Sequence, residues 1–209
     1  MTVREANDVT GKLSKPSKMP CKSYSLPAKE CKIGSLLRGV KGSTCKGCYA
    51  MKGFYVMPVV EKAMYRRLDS LKDPHWVQAM VILVGREKSG YFRWHDSGDI
   101  QSLEHLKDIC KVAELTPHIK HWLPTREIPI LKAFKKAGLE YPDNLTVRVS
   151  DHFIGQIKRL NLGLPTSGVH LKEGSPQGFR CSAPKQDGEC RDCRACWSKE
   201  VGHVSYLKH

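Results

Sequence analysis

The chain has 209 residues, of which 40% are hydrophobic and 27% charged, a balance typical of one globular domain with a hydrophobic core. Its longest apolar run, VQAMVILVG, is about half of the ~20 residues that a membrane span needs. The first residues, MTVREANDVTGKLSKPSK, lack the apolar core of a secretory signal. We therefore expect a cytoplasmic protein with no membrane partner.

Lysine and arginine outnumber aspartate and glutamate by 35 to 21, which gives a formal net charge of +14. Such a surplus indicates a polyanionic partner, and nucleic acid above all. The alternative is a surface that is merely basic, because the cations are spread along the whole chain. Both interpretations stay open, and the sequence identifies no substrate or host factor.

The first part of the chain divides into three stretches. Residues 1–19 are polar without hydrophobic periodicity, so we expect a flexible lead-in. Residues 20–56 carry four cysteines, and a short strand is expected within KSYSLPA. Two helices should follow. The first is MPVVEKAMYRRLDSL with Pro58 in its first turn, and the second covers residues 74–86 with Asp73 as its N-cap.

From residue 91 onward the chain alternates strands with helices. Phe92, Ile119 and Thr146 stand at equal steps of 27 residues in strand-like runs. This alternation implies right-handed βαβ crossovers and a parallel sheet. The predicted strands are YFRWHDSGD, HIKHWLPTRE, NLTVRVSDH and SGVHLKEG, and the predicted helices are SLEHLKDICKVAEL, IPILKAFKKAGL (ended by Gly138) and a short one at IGQIKRLN.

With the strand near residue 24, five strands are predicted, which is too few for a closed eight-stranded barrel. We therefore expect an α/β fold with a partial or open (βα) barrel-like parallel sheet of about five strands. The Cys-rich N-terminal loop and a Cys-rich C-terminal tail, residues 178–209, should belong to one domain over residues 20–209.

In parallel α/β folds, ligands bind beyond the carboxyl ends of the strands. The run WHDSGD places two carboxylates, an imidazole and a hydroxyl around one glycine at such an end, which predicts a pocket for a polar ligand or for proton transfer. For each residue alone, the simpler interpretation is a helix cap or a satisfied loop hydrogen bond. The predicted catalytic residues are His95, Asp96 and Asp99, and the predicted cofactor-binding residues are Arg126, Ser150 and Asp151.

Nine cysteines in a reducing compartment more often bind metal or do chemistry than form disulfides. Near the carboxyl end, Cys181-x8-Cys190-x2-Cys193-x2-Cys196 places four of them in sixteen residues. Structural zinc sites usually pair two separated knuckles, whereas C-x2-C-x2-C is common at iron–sulfur clusters. The spacing favours a [4Fe–4S] cluster, with zinc or unliganded thiols as alternatives.

A second set of thiols is Cys31-x13-Cys45-x2-Cys48, with Cys21 available as a fourth. Three ligands leave a position open to a substrate, whereas four close the site. One metal shared between the two cysteine segments is a further alternative, and the sequence does not choose among them. Cys110 lies in an amphipathic helix and is expected to be a buried apolar residue.

Several blocks of this sequence together resemble the gene product 88 family of bacteriophages and prophages. The blocks are SLPAKECK, GSTCKGCYAMKG, WHDSGD, HWLPTRE and the ending CRACWSKEVGHVSYLKH, and the resemblance runs from about residue 18 to the last residue. It implies a viral protein that works in the cytoplasm of a bacterial host, and it implies no particular activity.

More loosely, CKGCYA beside a partial βα barrel is similar to the cluster loop of radical S-adenosylmethionine enzymes, in which three cysteines leave one iron open. That likeness implies radical-type chemistry. Those enzymes mostly use C-x3-C-x2-C, whereas the first gap here is 13 residues, and no glycine-rich methionine-binding strand stands out. These departures argue against S-adenosylmethionine and leave an iron–sulfur site on a barrel-like scaffold as the expectation.

Three functions follow from these patterns. The leading one is an iron–sulfur enzyme with one or two [4Fe–4S] clusters and a redox or radical-type role on an unknown substrate. The second is a basic nucleic-acid-binding or regulatory protein that contains a cluster or zinc. Binding of bases would require Phe54, Tyr55 and Trp122 to be exposed instead of buried in the core. The third is an interaction protein whose tail is fixed by zinc or a cluster.

Overall fold

The computed structural model describes residues 1–157, 161–172 and 174–208. A seven-stranded parallel sheet runs in the order β1-β2-β3-β4-β5-β7-β6, so that β1 and β6 form its two edges and the sheet stays open. This confirms the predicted open, barrel-like α/β fold. The strands are β1 Ser23–Tyr24, β2 Tyr91–Trp94, β3 Lys120–Thr125, β4 Leu145–Ser150, β5 Thr166–His170, β6 Phe179–Arg180 and β7 His203–Leu207.

The first five strands coincide with the predicted ones, and β6 and β7 are additional. Strand β7 inserts between β5 and β6, pairing Thr166 with His203 and Val204 with Phe179. Strand β6 has only two residues, both exposed, and so lacks the apolar run by which a buried parallel strand is predicted. The Cys-rich tail therefore completes the sheet and does not simply follow it.

The described residues contain six α-helices. They are α1 Val3–Thr10, α2 Lys32–Leu37, α3 Pro58–Ser70, α4 Trp76–Val84, α5 Leu103–Glu114 and α6 Ile128–Lys136. As predicted, Pro58 occupies the first turn of α3 and Gly138, with φ of +67°, follows the end of α6. Helix α4 starts two residues later than predicted, because Asp73 accepts the N–H of His75 at 2.8 Å in the preceding turn.

The structure differs from the sequence prediction at residues 1–19, where no regular structure was expected. Helix α1 begins with a capping box in which Thr2 and Glu5 bind each other's backbone N–H, a T-x-x-E signal that is readable in the sequence. Its Ala6 is fully buried and packs with Ala79 and Leu83 of α4. The lead-in is thus part of the domain, since its short apolar face covers α4.

Alternation along the strands divides the sheet into two faces, because successive side chains point to opposite sides. One face joins α4, α5 and α6 in the main hydrophobic core, in which Cys110 is buried as predicted. The other face presents Arg93, Trp122 and Arg148. The sheet residues of the main core are Tyr24, Phe92, Trp94, Leu123, Leu145, Val147 and Val149.

The Cys-rich tail covers the face of the sheet opposite the helices. Arg148 is fully buried there, and its two terminal nitrogens donate to the carbonyls of Thr166, Ala195, Ser198 and Val201 at 2.9 to 3.2 Å. Four carbonyl acceptors, in place of a carboxylate, satisfy the two terminal nitrogens of this buried cation. The arginine therefore fastens the tail to β4 and β5.

The short helix predicted at 154–161 lies partly outside the described residues, since these omit 158–160. Its first two residues, Ile154 and Gly155, form a turn. The strand predicted at 167–174 includes residue 173, also outside the described part, and the observed β5 ends at His170. In the part of the chain that the structure describes, no helix is both long and apolar enough to span a bilayer.

Candidate functional site

The segment from Cys31 to Val60, here called the Cys-loop segment, follows β1 and lies over the carboxyl edge of the sheet. Thr44 ties it to the ends of β3 and β4, because its N–H donates to the carbonyl of His152 at 2.9 Å and its hydroxyl accepts from Nε of Arg126 at 3.1 Å. These bonds bring a loop from early in the chain onto the strand ends where ligands bind in parallel folds.

Asp96, predicted to be catalytic, holds this segment in place. Its Oδ1 accepts the hydroxyl of Ser23 at 2.5 Å and its Oδ2 accepts that of Tyr55 at 3.0 Å. The hydroxyl of Tyr49 donates to its backbone carbonyl. With 5% exposure, the carboxylate has hydroxyl partners on both oxygens, which is the arrangement of a positioning residue. Its predicted catalytic role stays a prediction.

The three sulfurs of Cys31, Cys45 and Cys48 form one group, here called the three-thiol group. A Cβ placed on Gly34 would lie 2.8 Å from Cβ of Cys31, 3.6 Å from Sγ of Cys31 and 3.8 Å from Sγ of Cys45, so both sulfurs lie beside this glycine. Cys48 is close enough to raise the pKa of both.

Burial is the main reason that the pKa values of Cys31 and Cys45 lie above the ordinary range, and the neighbouring thiols raise them further. Arg126 partly offsets this effect at Cys45. Such thiols become thiolates when a metal centre displaces their protons. Within the described residues, no three His, Cys, Asp or Glu side chains stand close enough to hold a single metal ion.

Asp99 is the predicted acid that acts on the three-thiol group, since its negative charge raises the pKa of Cys31 and of Cys45. Its two oxygens accept the N–H groups of Ile100 and Arg126, both at 2.8 Å. Burial raises the pKa of Asp99 to about 6, although hydrogen bonds from Thr125 and Arg126 oppose the rise. The carboxyl can therefore carry a proton near neutral pH.

Glu127 is a site residue that the sequence does not reveal. Its Oε1 accepts the N–H of Ile33 at 2.9 Å, so that a carboxylate at 2% exposure caps the start of α2 next to Cys31. An acid at a helix N-terminus is favourable. Its partner lies 94 residues away in the chain, and no local pattern links the two.

His95 sits at the end of β2 with φ of +52°. Its Nδ1 lies 3.1 Å from the carbonyl of Tyr24, which fixes the tautomer with the proton on Nδ1, and its ring packs edge-on against His105 at 5.3 Å. Burial lowers the pKa of His95 to about 4. The imidazole is therefore neutral at physiological pH.

Gly98 of the WHDSGD run allows a close backbone approach. A Cβ at this position would lie 2.6 Å from Cβ and 2.7 Å from the carbonyl oxygen of Leu26, and φ is +80°. The N–H of Leu26 donates to the carbonyl of Ser97 at 2.8 Å. Glycine is thus required where the end of β2 touches the chain that leads into the Cys-loop segment.

The predicted cofactor-binding residues divide between two places. Arg126 lies beside the three-thiol group, as described above. Ser150 and Asp151 at the end of β4 face β5, where the two hydroxyls of Ser150 and Ser167 are 3.2 Å apart and the N–H of Asp151 donates to the carbonyl of Ser167 at 2.7 Å. The backbone carbonyl of Asp151 also accepts the Thr44 hydroxyl at 3.1 Å, so this strand end still borders the Cys-loop segment.

The second group of sulfurs, here called the tail group, consists of Cys181, Cys190, Cys193 and Cys196. Cys181 follows β6, and its N–H donates to the carbonyl of Ser205 in β7 at 2.9 Å. Burial raises the pKa values of Cys181, Cys190 and Cys196, and neighbouring thiols of the group raise them further. Burial raises the pKa of Cys196 to about 12, and its sulfur lies 3.2 Å from the hydroxyl of Tyr206.

Cys21, considered as a fourth ligand for the three-thiol group, lies with the tail instead. It packs with Trp122 and Trp197 in a small cluster that Cys196 borders. Burial raises the pKa of Cys21 to about 12, and the nearby Cys190 adds to this rise. The N–H of Cys190 donates to the carbonyl of Lys18 at 3.2 Å. The chain before β1 therefore runs alongside the tail.

Arg93 contacts the Cys-loop segment and acts on thiols near the tail. Its guanidinium lies over the ring of Trp122 at 4.5 Å, and one nitrogen is 3.4 Å from the hydroxyl of Tyr49, the neighbour of Cys48. The same cation partly offsets the rise that burial causes in the pKa values of Cys21, Cys190 and Cys196. It thus favours negative charge on the tail group while touching the Cys-loop segment.

A cleft of about 420 Å³ opens away from both groups, near the amino end of β4. Residues that line it include Leu131, Tyr141 and Leu145. None of the predicted site residues lines this cleft, so the site is defined by the strand ends and the cysteines.

The fold and the site together define a class, that of an open-sheet α/β protein with a three-thiol group on its carboxyl edge and a four-thiol group in its tail. The chain belongs to the gene product 88 family, whose sequence profile matches residues 2–199. No curated protein and no solved structure matches it.

Proposed function

We propose that this chain is a phage iron–sulfur protein of the bacterial host cytoplasm, with a redox or radical-type enzymatic role. The observation that carries the proposal is that the sulfurs of Cys31 and Cys45 both lie beside Gly34, with Cys48 close enough to act on both thiols, on the carboxyl edge of a parallel sheet. Three thiols at a ligand-binding edge form an open site, which a purely structural metal does not need.

The donor set fits a [4Fe–4S] cluster. Thiolates on such a cluster bind separate iron atoms and so stand farther apart than those on one zinc ion, whose Zn–S bonds are about 2.3 Å. When bound by three thiolates, a cluster supplies one-electron chemistry at an iron that a substrate can reach. Arg126 offsets the negative charge of Cys45, and Asp99 is the candidate group for holding or moving a proton.

The tail group supports a second, closed cluster with Cys181, Cys190, Cys193 and Cys196 as ligands. Because these residues lie between β6 and β7, a centre there joins the last two strands in chain order. Its role is structural or that of an electron relay to the open site, and Arg93 lies between the two groups. Ligand binding and folding of the tail are then coupled.

The test is anaerobic purification from iron-replete cells, with iron and sulfide analysis and low-temperature electron spin resonance. We expect a brown protein, from which Cys45→Ala and Cys193→Ala each remove the iron of one site. The matched control is Cys110→Ala, since Cys110 is a buried cysteine of the main core. A pale, iron-poor protein, or equal iron in all three variants, would rule the proposal out.

S-adenosylmethionine is tested separately. The three-thiol group follows β1 of a parallel sheet, which agrees with the likeness to radical S-adenosylmethionine enzymes, while the gap of 13 residues in the motif opposes it. Consumption of added S-adenosylmethionine by the reduced protein, lost in Cys45→Ala, assigns that cofactor. Absence of consumption with full iron content favours a redox role without it.

Zinc in the tail group is the second candidate, because four thiols also suit a closed zinc site that fixes β7. The protein would then be a zinc-containing regulatory or nucleic-acid-binding protein. A colourless preparation with stoichiometric zinc that is lost in Cys193→Ala selects this function over the iron–sulfur enzyme.

A further inference from the structure

The Cys-loop segment, residues 31–60, has a one-sided charge. It contains five cations and not one aspartate or glutamate. The cations are Lys32, Arg38, Lys41, Lys46 and Lys52, and the four lysines are exposed. A run of this kind has no carboxylate of its own to neutralise it, so it attracts a polyanion over a distance of about 10 Å at ordinary salt.

The same segment carries most of the exposed large hydrophobic residues that the structure describes. Seven of these thirteen residues fall between Leu36 and Val59. Phe54 is 81% exposed, Leu36 74% and Val59 72%. Phe54 therefore does not belong to the core, whereas Trp122, considered with it as a base platform, is 5% exposed and does.

The outer face of the segment is held in a fixed position. Tyr55, next to Phe54, is anchored by its hydroxyl on Asp96 at 3.0 Å, and an ion pair between Lys29 and Glu61 joins the chain just before the segment to the chain just after it. The exposed phenyl ring is thus presented from an anchored turn, which lowers the entropy lost when a partner binds.

We propose that the outer face of the Cys-loop segment binds single-stranded nucleic acid, with Phe54 stacking on a base and Lys46 and Lys52 contacting phosphates. Protein interfaces are depleted of lysine, whereas single strands are bound by cations interleaved with exposed aromatic rings. A duplex hides its base faces and offers nothing for Phe54 to stack on.

A membrane surface fits less well. Helices that lie in a bilayer interface have a long apolar face, while α2 has six residues and the rest of the segment is mostly short turns. Binding at this face would bring a nucleotide to the three-thiol group, and that consequence rests on the proposed function. The binding itself does not require a cluster.

The experiment is fluorescence anisotropy of labelled 20-nucleotide single strands, DNA and RNA, with the full anaerobically purified chain at several salt concentrations. Lys46→Glu/Lys52→Glu should flatten the slope of log affinity against log salt by about 1.4. Phe54→Ala should weaken binding about tenfold, since one base stack is lost. Circular dichroism should show no change in fold, because all three side chains are exposed.

Two controls match these changes. Lys132→Glu/Lys136→Glu makes the same charge change on exposed residues of α6, and Val59→Ala removes an exposed apolar group without a ring. Both should bind within about twofold of the parent chain. If the α6 double variant weakens binding as much as the segment variant, or if Phe54→Ala has no effect, the proposal is overturned.

Two further arms separate the alternatives. Equal or tighter binding of a duplex of the same sequence overturns single-strand recognition, and retention on anionic phosphatidylserine vesicles without nucleic-acid binding assigns the face to a membrane. Iron content, measured on the same samples, reports on the proposed function independently. A protein that contains iron but does not bind nucleic acid would rule out the nucleic-acid inference alone. A protein that binds nucleic acid but lacks iron would rule out the iron–sulfur proposal alone.

Discussion

Gly34 shows how much one missing side chain can matter to the three-thiol group. It lies within α2, where alanine is favoured over glycine by about 1 kcal/mol, yet a Cβ there would stand 2.8 Å from Cβ of Cys31 and within 4 Å of two sulfurs. Helix propensity and the site therefore make opposite demands on this residue. The glycine is explained by the space beside the sulfurs.

We expect Gly34→Ala to lower the iron bound by the three-thiol group to the level of Cys45→Ala, because the methyl group would press against Cβ of Cys31 and shift its sulfur. Helix α2 itself should not unfold. Iron and sulfide analysis with electron spin resonance measures the effect. The matched control is Gly47→Ala in the same C-x2-C turn, where a Cβ meets no atom within 4 Å. Equal iron in both variants would contradict the expectation.

Gly98→Ala tests the contact between β2 and Leu26. The alanine must adopt φ of +80° and press against the backbone of Leu26, so we expect a loss of about 3 kcal/mol in the free energy of unfolding. Urea denaturation measures it. Gly138→Ala serves as the control, since it has φ of +67° in open space and should lose only about 1 kcal/mol. A similar loss at both positions would remove the role given to Leu26.

The residues that complete the site differ in whether the sequence alone predicts their position. Asp96 and Asp99 could be predicted to lie at a ligand-binding edge because WHDSGD concentrates polar groups after a strand. Glu127 and Arg93 could not, since Glu127 binds a helix 94 residues away and Arg93 binds Tyr49, 44 residues away. Tertiary contacts alone give these two side chains their roles.

At the level of elements, the tail is held by Arg148 as well as by the pairing of β7 with β5. We expect Arg148→Met to lower the free energy of unfolding by at least about 3 kcal/mol, because four carbonyls lose their donor and each unmet buried acceptor costs about 1 kcal/mol or more. Chemical denaturation followed by tryptophan fluorescence measures it, since Trp197 lies on the tail. The control, Arg86→Met at an exposed arginine, should change stability by less than about 0.5 kcal/mol.

Strands were predictable where the pattern was local. The buried runs of β2, β3 and β4 recur at steps of 27 residues, and this regularity follows from one strand and one helix per unit. Strand β7 breaks the rule, because it follows a stretch of charges and cysteines and inserts between two earlier strands. A different reason applies to helix α1, which the hydrophobic pattern does not predict because it buries only a few small side chains on α4.

For the molecule as a whole, buried neutral histidines set the response to acid. Burial lowers the pKa of His121 to about 3 and that of His95 to about 4, and it lowers that of His105 well below the ordinary 6.5. The unfolded chain therefore binds more protons below pH 6.5. Stability is complete above that pH and falls as the pH drops, by up to about 1.4 kcal/mol per unit for each histidine.

Asp99 acts in the opposite direction. Its pKa in the folded protein, about 6, lies above the ordinary 3.8, so the folded state binds the extra proton between these values and gains stability as the pH falls. Burial also raises the pKa of Glu127 and of Asp108, and it lowers that of His170 and of His203. Five histidines with lowered pKa values therefore outweigh three carboxyl groups with raised ones. The net expectation is a loss of stability between pH 6.5 and 5.

The variant His121→Gln isolates one histidine. We expect it to reduce the slope of unfolding free energy against pH between 6 and 5 by about 1.4 kcal/mol per unit, whatever its stability at pH 7. Urea midpoints at pH 7.5, 6 and 5 provide the slope. His75→Gln, at an exposed histidine, should leave it unchanged, and an unchanged slope in His121→Gln would show that this histidine is not held neutral.

The position of β7 between β5 and β6 has a consequence for synthesis. On the ribosome, β5 and β6 both emerge before the strand that joins them, and the nascent chain must keep their open edges apart until residues 203–207 are free of the tunnel. The four tail sulfurs are translated in the same interval. Assembly of an inorganic centre there would therefore coincide with the step by which the newborn polypeptide completes its sheet.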